Sequence, residues 1–157
     1  LNVMNEILKK FPKNLVLNIT KSEILLSGQR LSEAQMNIEQ VLNISPGNYP
    51  ASIIKAKILS SKKEFIKAEE ILRDLLISKN RDPGLWMQLS EVQRAGKNIV
   101  GYHLSRGEYY TLIGDFDNAL NQFQFALGLS GNSFQTSETI MTKIKFAQER
   151  LGKRKGF

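Results

Sequence analysis

The stretch Gly107-Glu108-Tyr109-Tyr110-Thr111-Leu112-Ile113-Gly114-Asp115-Phe116-Asp117-Asn118-Ala119-Leu120-Asn121-Gln122-Phe123-Gln124-Phe125-Ala126 decides how this chain is read. Small residues stand at Gly107, Ala119 and Ala126, and aromatic ones at Tyr110, Phe116 and Phe123. The pair Gly114-Asp115 divides two segments of helical apolar spacing, which predicts a tight turn between two helices. Ala119 lets the second helix approach the first. Phe116 opens that helix with an apolar contact, and Phe123, one turn beyond Ala119, fills the space between the two.

Working upstream, the same residue types return at a fixed interval. The spacing from Leu31 to Phe65 is also that from Ala34 to Ala68, Ile38 to Leu72, Leu42 to Leu76, Pro12 to Pro46, and Ser52 to Trp86. The turn signals Ser45-Pro46-Gly47-Asn48 and Asn80 to Gly84 end successive units, with Pro83 placed to open a helix. A period of 34 built of helical hairpins is the signature of the tetratricopeptide repeat. No hairpin buries both its faces alone, so stacking is obligatory. The expected fold is all-α: a right-handed superhelical stack of tetratricopeptide-type hairpins, about nine helices, over residues 1–151. Its parts are a half repeat (about 1–12), repeats at 14–46 and 48–80, an extra helix at 84–95, a repeat at 98–130, a capping helix at 133–151 and a basic tail at 152–157.

Two irregularities carry information. Ala68 and Ala119 stand one and a half periods apart. The Trp86 helix therefore has no second helix of its own, and the helix at about 98–113 is expected to partner both it and the helix opening at Phe116. At the other end, Val3, Ile7, Leu8 and Pro12 match the second half of a repeat, which reads as a piece of a longer protein. Phe134, Ile140, Met141, Ile144, Ala147 and Leu151 give the final segment helical apolar spacing, as a lid on the last face of the stack requires. An amphipathic membrane helix is the sharper alternative there.

The 157 residues are 41% apolar and 24% charged, the balance of a folded domain. No run approaches the roughly 20 apolar residues of a membrane span. The net charge of +7 is unevenly spread: residues 1–97 carry +5, residues 98–142 carry −3, and residues 143–157 carry +5. That distribution makes no continuous basic stripe and points away from nucleic acid. Lys143, Lys145, Arg150, Lys153, Arg154 and Lys155 read as a solvated helix end, where cations suit the helix dipole.

The inventory for catalysis is thin. One histidine, His103, and no cysteine exclude a His/Cys zinc site and an H-E-x-x-H motif. No P-loop, G-x-S-x-G elbow or dinucleotide fingerprint occurs. No catalytic, cofactor-binding or metal-ligating residue is assigned. Attention falls on the segment from Tyr102 to Tyr110, where His103, Arg106, Gly107 and Tyr110 share one helix face. Arg106 stands where such a repeat ordinarily has an apolar residue, so it calls for a carboxylate, and Glu91 is the candidate. This cluster is either an internal polar network or, with Glu91, His103, Arg106, Glu108 and Tyr109, a pocket for a partner's peptide. A second candidate surface follows from the first helices of stacked hairpins, which line the concave side and place Asn18, Ser22, Ile53, Lys57, Met87 and Glu91 there. Plain solvent exposure is the alternative.

The run His103-Leu104-Ser105-Arg106-Gly107-Glu108-Tyr109-Tyr110, followed by Leu112 to Leu120, resembles the C-terminal tetratricopeptide domain of periplasmic zinc metallopeptidases, the β-barrel-assembly-enhancing proteases of Gram-negative bacteria. Lys10 to Leu15 and the Trp86 helix share the likeness. It implies a noncatalytic interaction domain of an exported zinc metallopeptidase, located in the periplasm. The implied partners are outer-membrane assembly components, client proteins and the rest of its own protease chain. Zinc would belong to the protease domain, and no cofactor is expected in this stretch. One departure is Gly28 to Ala34, a residue longer between turn glycine and small position than a standard repeat. The alternative is a stand-alone tetratricopeptide adaptor or scaffold for a secretion, pilus or cytoplasmic complex.

Overall fold

A computed structural model describes residues 2–131 and 133–155, with the side chains of 154 and 155 left out. The described residues form nine helices and no strand: α1 (Asn2–Lys10), α2 (Leu15–Ser27), α3 (Leu31–Ile44), α4 (Tyr49–Ser61), α5 (Phe65–Ser78), α6 (Pro83–Ala95), α7 (Ile99–Leu112), α8 (Phe116–Leu129) and α9 (Phe134–Lys155). Two compact units are present, residues 1–72 and 73–157. Gly152 to Lys155, expected as a tail, continue α9, while Leu1, Gly156 and Phe157 lie outside the described residues.

The helix starts are written in side chains. Asn14, Asn48 and Asp82 succeed one another at the repeat period, and each accepts a hydrogen bond from a main-chain N–H in the first turn of α2, α4 and α6. Asn98 and Asp115, half a period apart, do the same for α7 and α8. The hairpin turns are equally regular. Gln29, Lys63 and Lys97 hold positive φ angles of 57°, 63° and 61°, and Gly114 and Gly131 follow with 78° and 60°. In each of the first four turns the next residue's N–H reaches back five residues: Arg30 to Leu25 O, Glu64 to Leu59 O, Asn98 to Gln93 O and Asp115 to Tyr110 O. This is a helix C-terminus closed through one left-handed residue.

The longer spacing from Gly28 to Ala34 is therefore no irregularity. Gly28 has an ordinary φ of −83° and the left-handed residue is Gln29. Gln29, Lys63, Lys97 and Gly114 each stand five residues before the inward position of the next helix. A side chain at positive φ costs free energy that glycine does not. Lys63→Gly is thus expected to stabilise the protein by about 0.5–1 kcal/mol, read as a rise in the thermal midpoint. An unchanged or lowered midpoint would count against that strain.

In the unit 1–72, Leu25, Ala34, Ile38, Val41, Ala51, Ile54 and Ile58 form one core from α2, α3 and α4, flanked by Leu15, Ile19, Leu26 and Leu42. A polar contact crosses it. Asn37 Nδ2 donates to Ser22 Oγ at 2.8 Å and to Asn18 O at 2.6 Å, with Asn37 and Ser22 both buried. Asn37→Ala strips a buried hydroxyl and carbonyl of this donor and is expected to cost about 1–3 kcal/mol, measured by denaturant unfolding. In the unit 73–157, α6 packs on α7, α7 on α8 and α8 on α9. Ala119, Phe123, Ala126 and Ile140 form one buried cluster there, with Leu104, Tyr110, Leu127 and Ile144 against them. Helix α7 is thus packed on two sides.

Candidate protein-binding site

Helix α7 belongs to two registers at once. As the second helix of the α6–α7 hairpin it continues the full-period series, and Tyr102 follows Ala34 and Ala68, while Arg106 follows Ile38 and Leu72. As the first helix of the α7–α8 hairpin it continues the small-residue series Ser22, Ala56 and Ser90, all buried, with Gly107 half a period after the last. One face of α7 is consequently polar where earlier second helices are apolar, and the opposite demand is met by Gly107. A Cβ built on Gly107 would lie 2.2 Å from Phe123 Cε1, so only glycine lets the Phe123 ring seat against α7.

Arg106 does not pair with Glu91. Glu91 is exposed and its Oε2 accepts from Arg94 Nη2 at 2.6 Å, a bond that raises the Arg94 guanidinium above its ordinary pKa. Arg94 lies three residues away on the same helix, which makes it the nearer partner. The half-buried Arg106 instead donates from Nη2 to Tyr110 Oη at 2.6 Å and from Nη1 to Met87 Sδ at 3.1 Å. Its carbon centre stands 5.0 Å from the Tyr110 ring centroid and 5.9 Å from that of Tyr109. Its Nε is buried without a hydrogen-bond partner. His103 contacts α8 instead. Its Nδ1 lies 2.9 Å from Gln122 Oε1, and its ring packs near Tyr102 and the exposed Phe125.

Glu108 makes an ion pair with Lys143 of α9, both half-buried. The pair borders a cavity of about 370 Å³ lined by Glu108 and Thr111 of α7, Phe123 of α8, and Thr142, Lys143 and Phe146 of α9. Phe146 is 40% exposed, with Phe116 edge-on at 6.3 Å and Arg150 5.0 Å over its ring. Lys143, Thr142 and Phe146 were not among the expected site residues. Of the apolar residues expected to seat α9, Ile140 and Ala147 are buried, whereas Phe134 and Met141 are exposed.

The residues expected on the first helices differ in exposure. Lys57 and Glu91 are exposed, and Ile53 and Met87 are half-buried. Ser22 is fully buried and Asn18 is engaged, its Nδ2 donating to Pro12 O and Asn14 O, both at 2.9 Å. The reason is rotation: one period before Ile53 and Lys57 stand Ile19 and Glu23, and a one-residue slip turns a side chain about 100° around the helix. That turn carries Ser22 toward α3. Glu91, His103, Arg106, Glu108 and Tyr109 likewise do not line one pocket; they divide among the Arg94 pair, the Gln122 contact, the tyrosine cluster and the α9 cavity. No group of three or more His, Cys, Asp or Glu among the described residues is placed to hold a metal ion. No described helix is long and apolar enough to cross a membrane.

Solved structures share this fold at low identity. A tetratricopeptide repeat protein from Parabacteroides merdae ATCC 43184 superposes with a TM-score of 0.56 at 16% identity, over 94% of this chain and 62% of that one. This chain thus spans less than two thirds of that protein. MamA from Desulfovibrio magneticus RS-1, from residue 41 to its end, gives 0.65 at 12% identity over 96% of this chain and 82% of its own. The MamA RS-1 ArsTM double mutant gives 0.64 at 14% over 93% and 82%. The fold is a tetratricopeptide-type helical repeat. No family model matches the chain, and no curated protein does.

Proposed function

We propose that this chain is a noncatalytic protein-interaction domain, and that it serves an exported zinc metallopeptidase by engaging outer-membrane assembly machinery or its clients. The observation that carries the interaction reading is the α7–α9 cavity, where a half-exposed aromatic ring sits beside an ion pair. An apolar side chain from a partner can enter against Phe123 and Phe146. A partly exposed ion pair contributes little stability, so Glu108 and Lys143 can turn to a peptide backbone at small cost. The resemblance of the His103 to Tyr110 run supports the protease link. A periplasmic location follows from the same resemblance.

Photocrosslinkers placed at Lys57, Met87 and Phe146 in the cells of origin test this reading. The expected product is a covalent adduct with outer-membrane assembly proteins, strongest at Phe146. Labelling of abundant proteins alone would end it. For a captured partner, Phe146→Ala is expected to weaken binding by about 2 kcal/mol, roughly thirtyfold, as buried aromatic anchors do. An upstream coding region with neither an H-E-x-x-H helix nor a signal peptide would remove the protease link and leave the interaction reading standing.

A further inference from the structure

We propose that the Arg106 guanidinium, framed by Met87, Tyr109 and Tyr110, is a receptor for a carboxylate in an acidic segment of a protein partner. Arg106 occupies the place of Ile38 and Leu72, which are 0% and 1% exposed, so the fold has put a permanent cation where its own repeat calls for an apolar side chain. A cation so placed needs a counter-charge. The partners it has are neutral, a hydroxyl and a thioether sulfur, and sulfur accepts weakly. The tyrosine rings attract the charge through their faces and leave in-plane donors unused. Nε has no partner at all.

The two carboxylates expected beside it, Glu91 and Glu108, pair with Arg94 and Lys143 instead. Two features select the ligand. Arg106 is the single Lys or Arg in residues 98–142, a stretch of net charge −3, whereas a nucleic-acid backbone is held by several cations in series. One guanidinium fork bordered by rings and a methionine suits one carboxylate on a peptide.

The test uses the full chain and an acetylated, amidated tetraglutamate peptide, with tetraglutamine and inorganic phosphate as comparisons. The side-chain Nε–H resonance of Arg106 and the ring resonances of Tyr109 and Tyr110 are followed during titration. They are expected to shift saturably with tetraglutamate, less so as salt rises, and not with tetraglutamine. Arg106→Leu, which restores the residue type of Leu72, is expected to keep or raise the melting temperature and to lose at least tenfold in tetraglutamate affinity. If that variant does not fold, Arg106→Lys keeps the charge without the fork and is expected to bind at least fivefold more weakly. No shift with tetraglutamate, an equal shift with tetraglutamine, or tighter binding of phosphate overturns the proposal. So does undiminished affinity in the folded variant. The inference rests on the interaction reading, yet the two fail separately. A tetraglutamate response with no crosslinked partner overturns only that reading, and crosslinked partners with no tetraglutamate response overturn only this site.

Discussion

Replacing Gly107 with valine is expected to destabilise the protein by about 3 kcal/mol or more, the upper end of what overpacking costs. Two effects oppose each other at this position. Glycine inside a helix is unfavourable relative to alanine by about 1 kcal/mol, so propensity alone predicts that any side chain helps. Against that, a Cβ on Gly107 would meet three atoms of the Phe123 ring at 2.2, 2.5 and 2.7 Å. Phe123 is 1% exposed in a core with Ala119, Ala126 and Ile140, so displacing its ring disturbs that packing. The overlap therefore wins. Gly107→Ala should already be destabilised by about 1–3 kcal/mol, and valine, with two further carbons on that Cβ, by more. In a chain of 157 residues each kcal/mol lowers the midpoint by about 2–4 °C, which thermal unfolding resolves easily. Shrinking the ring in Gly107→Ala/Phe123→Leu should recover part of the loss, because the two side chains compete for one space. An alanine variant more stable than the parent would mean that the α7–α8 contact is loose enough to rearrange, contrary to this expectation.

That glycine was legible in the sequence, and the reason separates what could be read from what could not. Gly107, Ala119 and Phe123 are a close approach between helices, and close approach restricts residue type, so it leaves a pattern. The caps at Asn14, Asn48 and Asp82 and the turns at Gln29, Lys63 and Lys97 carry the same repeat period. The turns hid because a left-handed residue followed by a five-residue reach-back is a main-chain device that tolerates Gln and Lys. The α6–α7 hairpin looked like a break for the complementary reason. Its backbone repeats the pattern while its inward side chains do not: Gln93 stands where Leu25 and Leu59 do, Tyr102 where Ala34 and Ala68 do, and Arg106 where Ile38 and Leu72 do. Gln93 is nevertheless buried, its Oε1 accepting from Ser105 Oγ at 2.7 Å, so hydrogen bonding replaces apolar contact there. The pairing of Glu108 with Lys143 could not be read at all. It joins two distant helices through the rotation of α9, and apolar residues on several sides of α9 leave that rotation open until α8 is in place.

The rotation of α9 also makes Ile140 the residue on which the candidate site depends, and Ile140→Ala is expected to cost about 2–5 kcal/mol. Along the 22 residues of α9 only Ile140 and Ala147 are fully buried among the described side chains, and Ala147 has little area to bury. Removing three carbons from Ile140 leaves a gap beside Phe123 and Ala126 that neither alanines nor a ring pinned under Gly107 can fill. A helix so weakly seated is expected to open locally before the rest of the unit unfolds. Lys143, Phe146 and Arg150 would leave with it, and the cavity would lose its α9 wall. Two readings follow for the same variant. Trypsin should cut after Lys143, Lys145 and Arg150 faster than in the parent under native conditions, and partner binding at Phe146 should weaken in step. Phe146→Ala supplies the contrast: its ring is 40% exposed, so stability should move by about 1 kcal/mol or less while binding is lost. Faster proteolysis with undiminished partner binding in Ile140→Ala would place the partner on some other face, because a surface shared by α7, α8 and α9 cannot outlast the departure of α9.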